Sequence, residues 1–208
     1  MTMKHHPFFL LFLLIAGLLA LPADSVAQEE GRSWCVKANP FGLFAGQFQV
    51  SYEQAVSNRI SVQMTGAVVR ANLELNTNDL EDLLSINTSL NAVDWIGFLA
   101  MPEARVYLSP EVGKGFYLGA FARVRCIERT MTTNFIGIQR RSALGLGAVI
   151  GGQFKISEHV RGDLFLGPQV KSTTTTLGTP DDPTPQFVFG KEEWLPGIRF
   201  GMNIGWTP

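Results

Sequence analysis

The segment Gly197–Trp206 reads Gly-Ile-Arg-Phe-Gly-Met-Asn-Ile-Gly-Trp, with Ile198, Phe200, Met202, Ile204 and Trp206 at every second position. Gly197, Arg199, Gly201, Asn203 and Gly205 stand between them. Successive side chains of a β-strand point to opposite faces, so this stretch has one apolar wall and one that is polar or empty. In a water-soluble sheet the apolar wall packs on a core, and in a membrane barrel it meets lipid. The other strands of the chain have to decide between the two.

The same period recurs upstream. Trp34, Val36 and Ala38 share a face before Asn39-Pro40-Phe41-Gly42 breaks the pattern with turn residues. Phe48, Val50 and Tyr52 oppose Gln47, Gln49, Ser51 and Glu53; beyond the tight turn Ser57-Asn58-Arg59, Ile60, Val62, Met64 and Val68 oppose Ser61, Gln63 and Thr65. Residues 71–93 lose the alternation and read as a long polar loop with one short helix, which Asn78 and Glu81 would start. Further strands are predicted over Trp95–Leu108, Phe116–Arg129, Arg141–Lys155 and Val160–Thr173, and from Trp194 to the end. Connections near Ser57, Val112 and Glu158 are short, whereas Ala71–Val93, Thr130–Gln139 and Thr174–Glu193 are long. About eight strands with alternating short turns and long loops is the rhythm of a bacterial barrel. The expected fold is all-β, an eight-stranded antiparallel up-and-down transmembrane β-barrel over residues 28–208.

The face opposite the aliphatic rows argues for lipid outside. It carries Glu103, Arg105, Arg123, Arg125, Arg161, Asp163, Lys171 and Arg199, which in a closed barrel form a charge network in the lumen. Gly145, Gly147, Gly151, Gly197, Gly201 and Gly205 share that face, and glycine weakens an exposed strand. Inside a narrow barrel, Arg and Glu side chains from neighbouring walls need the volume that glycine leaves. A soluble lipocalin-like barrel, with the aliphatic rows inward, is the alternative. The tryptophans also favour a membrane. Trp34 and Trp206 fall toward the short-turn end, and Trp95 and Trp194 toward the long-loop end, where indole rings gather at membrane–water boundaries. Trp95 nevertheless has the parity of Glu103 and Arg105, so it belongs inside unless a bulge shifts the register.

The start of the chain is read as a leader. Lys4, the apolar run Phe8–Leu21 and the small residues of Ser25-Val26-Ala27 make the three-part pattern of a secretory signal peptide spanning residues 1–27. The run is shorter than the roughly 20 residues of a spanning helix, so membrane residence has to come from strands. A net charge of −1 offers no basic field for nucleic acid. Cys35 and Cys126 map to distant places on the strands and are expected to be free.

Arg199, Gly201, Ile204 and Trp206 match the C-terminal assembly signal of bacterial outer-membrane proteins: a polar residue, Gly two positions on, then hydrophobic or aromatic residues at the antepenultimate and last places. Thr207-Pro208 departs from it by following the aromatic. The chain resembles the small eight-stranded outer-membrane barrels of the OmpA/OmpX type, and an uncharacterised family of exported barrels in phrases such as Lys37-Ala38-Asn39-Pro40, Ser51-Tyr52-Glu53 and Pro102-Glu103-Ala104-Arg105. The resemblance implies the bacterial outer membrane as address, with its lipid bilayer and the outer-membrane assembly machinery as partners.

Chemistry is sparse. His5 and His6 leave with the leader, and His159 stands on a short turn with no Ser or Cys partner, so no enzyme is expected. Asp181 and Asp182 sit among prolines without a cation-loop motif, and Asn87-Thr88-Ser89 is only formally a glycosylation sequon. No metal or cofactor is expected. A structural or surface-interaction role through long loops is the first reading, and a narrow channel lined by the lumen charges is the second.

Overall fold

The computed structural model describes residues 34–44, 46–73, 92–132, 136–178 and 186–208. The leader, the helix start at Asn78 and Glu81, Asn87-Thr88-Ser89, Asp181 and Asp182 lie outside them. The alternating stretches form β1 (Trp34–Ala38), β2 (Gln47–Ala55), β3 (Ile60–Leu73), β4 (Ala92–Tyr107), β5 (Gly115–Thr132), β6 (Ile136–Lys155), β7 (Val160–Leu177) and β8 (Leu195–Trp206). A single helical turn, α1 (Pro40–Phe44), follows β1. Pro40 is pre-set for the first helical position, and Asn39 Oδ1 accepts from the Gly42 N–H at 3.1 Å. Each strand pairs antiparallel with its sequence neighbours. β8 returns to β1, with Val36 opposite Trp206 and Ala38 opposite Ile204, and the barrel closes.

No bulge interrupts the registers. Stepping across paired residues from Cys35 leads through Glu53, Gln63 and Glu103 to Phe121, and on through Gly147 and Gln169 to Gly197. The β8-to-β1 offset then carries that line to position 45, ten residues past its start. A stagger of ten over eight strands of ordinary rise and spacing tilts them by roughly 40° from the barrel axis. At that tilt a strand needs about 9–11 residues to cross hydrocarbon. β5, β6 and β7, with 18, 20 and 18 residues, therefore rise above it on the long-connection side.

That rise corrects two expected loops. Of the expected loop Thr130–Gln139, the described residues are strand: β5 runs to Thr132, directly opposite Ile136 at the start of β6. β7 likewise continues past Thr173 to Leu177, paired to β6. Above the hydrocarbon both faces of a strand meet water or protein, so pairing no longer requires an apolar row and the period-two signal fades. The segment 186–192 covers the outer face there: Ser142 Oγ donates to the Val188 carbonyl, Ser172 Oγ to that of Glu192 at 2.8 Å and Thr176 Oγ1 to that of Gln186 at 2.8 Å. Those hydroxyls point outward on β6 and β7 because they face covering backbone instead of acyl chains.

Inside, glycines set the packing. A Cβ at Gly147 would lie 2.7 Å from the Phe121 ring and 2.6 Å from the Pro168 carbonyl oxygen, and one at Gly201 would lie 2.6 Å from Phe165. One at Gly151 would collide with Tyr117. The interior glycines thus make room mainly for aromatic rings, where arginine and glutamate were expected; a Cβ at Gly145 would lie 3.7 Å from Arg123 Nε and one at Gly119 3.2 Å from Glu103 Oε1, nearer the expected use. Gly147→Val is expected to destabilise the barrel by about 1–3 kcal/mol through overpacking. Gly66→Ala, which adds a methyl into open space on the outer face, should be near neutral. Urea midpoints in detergent micelles check both.

Candidate functional site

The lower lumen, on the short-turn side, is built from interior positions contributed by most of the strands. Glu53 on β2 lies 2.5 Å from Lys37 Nζ of β1 and accepts from Ser61 Oγ, from Tyr107 Oη at 2.7 Å and from Gln153 Nε2 at 2.7 Å. Asp163 on β7 accepts from the same Lys37 Nζ at 2.7 Å, from Arg105 Nη1 at 2.9 Å and from Tyr117 Oη at 2.7 Å. Glu103 on β4 takes Arg105 Nε and Arg199 Nη1, each at 2.7 Å. Three carboxylates and three cations are bound into one neutral cluster. Arg105 also lies over the Tyr117 ring at 4.3 Å, and Arg199 sits 4.4 Å from the Phe121 ring centre and 4.3 Å from that of Phe165. Buried charges are tolerated when paired and hydrogen-bonded, and in this cluster every carboxylate has at least two partners.

Four residues named from the sequence behave differently from that cluster. Arg161 lies at the floor, donating through Nη1 to the Val112 carbonyl at 3.3 Å; Val112, in the β4–β5 turn, is itself buried. Arg123, Arg125 and Lys171 face the upper lumen with no ion pair to any described residue. The expected single network is therefore a neutral plug below and a cationic section above. Sequence reading missed Lys37, Glu53, Tyr107, Tyr117 and Gln153. Their signal was present: each is a polar or tyrosine position on the parity opposite to the outward face, as Lys37 between Val36 and Ala38 and Tyr107 between Val106 and Leu108 show.

The outer wall is the reverse of a water-soluble surface. Phe200 is 79% exposed and Ile198 71%, while Arg105 is 0% and Asp163 1% exposed. Leu118, Leu146, Ile150, Leu164 and Leu166 continue the apolar belt. An uninterrupted aliphatic belt around a charged interior has only one favourable solvent, the bilayer core. This is a transmembrane β-barrel. No helix of the described residues is long and apolar enough to cross a membrane. No protein-family profile matches the chain, and no curated protein matches it as a relative. Among solved structures it is similar to the N-terminal β-barrel domain of Pseudomonas aeruginosa OprF, at 14% identity over 85% of this chain and 98% of that one, with a TM-score of 0.45. A major outer membrane protein from Thermus thermophilus is 11% identical over 86% of this chain and all of the other (100%), with a TM-score of 0.44. Neisserial surface protein A is 11% identical over 86% and 97%, with a TM-score of 0.36.

Trp34 and Trp206 lie on the outer face of the barrel. Trp34 packs between Tyr52 and Trp206 at ring distances of 6.3 and 5.4 Å, on the outer face of the short-turn end. Trp194 is exposed just ahead of β8. Trp95 corrects the expectation of an interface aromatic. Without a bulge on β4 its parity with Glu103 holds, so it points into the lumen, where the Arg129 guanidinium lies 3.8 Å from its ring centre. At the closing seam Arg199 and Gly201 face inward while Ile204 and Trp206 face out. Thr207, beyond the aromatic, ties the end down: its N–H donates to the His159 carbonyl and its hydroxyl to the Trp34 carbonyl, each at 2.9 Å. His159 Nδ1 donates to the Thr207 carbonyl at 3.3 Å, a turn contact with no nucleophile in it. Cys35 and Cys126 are both free, Cys35 on an interior position and Cys126 on an outward one.

Proposed function

We propose that the chain is an exported outer-membrane barrel, closed to through-flow, with a structural or surface-interaction role carried by its long connections. Residues 1–27 serve as the signal peptide, and Arg199, Gly201, Ile204 and Trp206 as the signal read by the outer-membrane assembly machinery. The observation that supports closure is the neutral cluster of Lys37, Arg105 and Arg199 with Glu53, Glu103 and Asp163, tied together across the lumen at 2.5–2.9 Å. Eight strands leave an interior that side chains fill, and a file of ions would have to break these pairs to pass. Protein refolded into planar bilayers, shown to be folded by its altered gel migration before boiling, is expected to give no steady single-channel conductance. A stable open level would replace this reading with the channel.

A further inference from the structure

The upper lumen holds a concentration of positive charge that no described carboxylate answers. Arg123, Arg125 and, beyond the buried Ile127, Arg129 lie on the inner face of β5, and Arg141 and Lys171 stand on the inner faces of β6 and β7. Arg123 feels the charge of Arg125 and Arg199, and Arg125 that of Arg141 and Arg129, so the group repels itself. None of the five makes an ion pair with a described residue, and the Nε atoms of Arg123 and Arg125 are buried donors without an acceptor. The adjoining wall of β3 and β4, with Ala67, Val69, Leu99 and Met101, is apolar and presents no carboxylate there either. A glycine stands between two of the cations: Arg123 lies opposite Gly145, which in turn pairs with Lys171.

Arg123, Arg125 and Lys171 are half-buried and Arg141 is exposed; gathering like charges in a partly desolvated wall is costly, and such groups are retained where a ligand completes them. Guanidinium groups present paired N–H donors that match the oxygens of phosphate. The neutral plug gives the space a floor, and low-dielectric walls focus the field of the cations toward the mouth. We propose that the upper lumen is a binding cup for a compact soluble oxyanion of several negative charges, of the polyphosphate class, held by Arg123, Arg125, Arg141 and Lys171. The cup rests on the closed-barrel reading for its floor alone. These side chains stand toward the long-connection end of the barrel wall, so the ligand is one that arrives from water and not from the bilayer.

Full-length protein extracted from membranes in detergent, titrated with tripolyphosphate in a calorimeter, tests the cup. Saturable binding that weakens as salt is raised is expected. Arg123→Gln/Arg125→Gln together should weaken it at least tenfold while the protein keeps its heat-modifiable gel migration, because removing like charges relieves repulsion. Lys171→Gln alone, a milder change, should weaken it severalfold and serves if the double variant does not fold. Lys114→Gln, in the exposed β4–β5 turn, should leave binding unchanged. No saturable binding at millimolar tripolyphosphate, or equal binding by the arginine variants, would overturn the cup. Conductance reads the plug and calorimetry reads the cup, so the failure of one is told apart from the failure of the other.

Discussion

Glu53→Leu is expected to lower the unfolding free energy of the barrel by about 3–5 kcal/mol, measured from urea or guanidinium transitions in detergent micelles. The carboxylate has five partners: Lys37, Arg105, Ser61, Tyr107 and Gln153. Losing it leaves Lys37 and Arg105 to share Asp163 and Glu103, and three neutral donors without an acceptor. Each stranded donor costs about 1–3 kcal/mol if it stays dry. Those costs do not sum, because the cluster relaxes as a unit. The pair Lys37→Met/Glu53→Leu removes one charge of each sign, and it should recover a large part of the loss. That recovery is what separates a neutral, desolvated plug from a chain of solvated charges. A single-variant loss below about 1 kcal/mol would mean that water reaches these groups and that the lumen is wetter than its packing indicates.

The plug and the belt were legible in the sequence to different degrees. The belt follows from parity alone: Phe200 and Ile204 must share a face, and Arg199 and Asn203 the other, wherever the strand sits. Parity also assigned Glu103, Arg105 and Asp163 to one side of the wall. What it did not supply is which of them meet, because partners on opposite walls are fixed by the stagger of the whole barrel. Lys37 is 126 residues from Asp163 in sequence and 2.7 Å from it in space, a contact that appears only once the registers close with their stagger. Trp95 shows the converse case, where parity was right and composition misled: an indole near a strand end suggested the interface, yet the unbroken register of β4 turns it inward beside Arg129. The tops of β5, β6 and β7 were hidden for a different reason. Thr130 on β5, and Thr174 and Thr176 on β7, give the strand tops a polar outer face, which reads as loop in a sequence. Residues 186–192 bond to the outer face of β6 and β7 at Ser142, Ser172 and Thr176.

Leu166→Arg is expected to be the other large effect, and its size discriminates between solvents. Leu166 is half-exposed on the outer face of β7, paired with Ile150 and Phe200, near the middle of the apolar belt. On a barrel dissolved in water, an exposed Leu exchanged for Arg falls within about 0.5 kcal/mol of neutral, since the guanidinium is hydrated. In a bilayer the same exchange forces a charge into hydrocarbon and costs about 2–4 kcal/mol at the midplane, falling to about 0–1 near the boundaries. Ile60→Arg, at the short-turn end of β3, supplies the boundary comparison. Folding both variants into vesicles and measuring guanidinium midpoints should give a large loss for Leu166→Arg and a small one for Ile60→Arg. Equal and negligible losses at both depths would mean that the aliphatic rows of this barrel do not meet acyl chains.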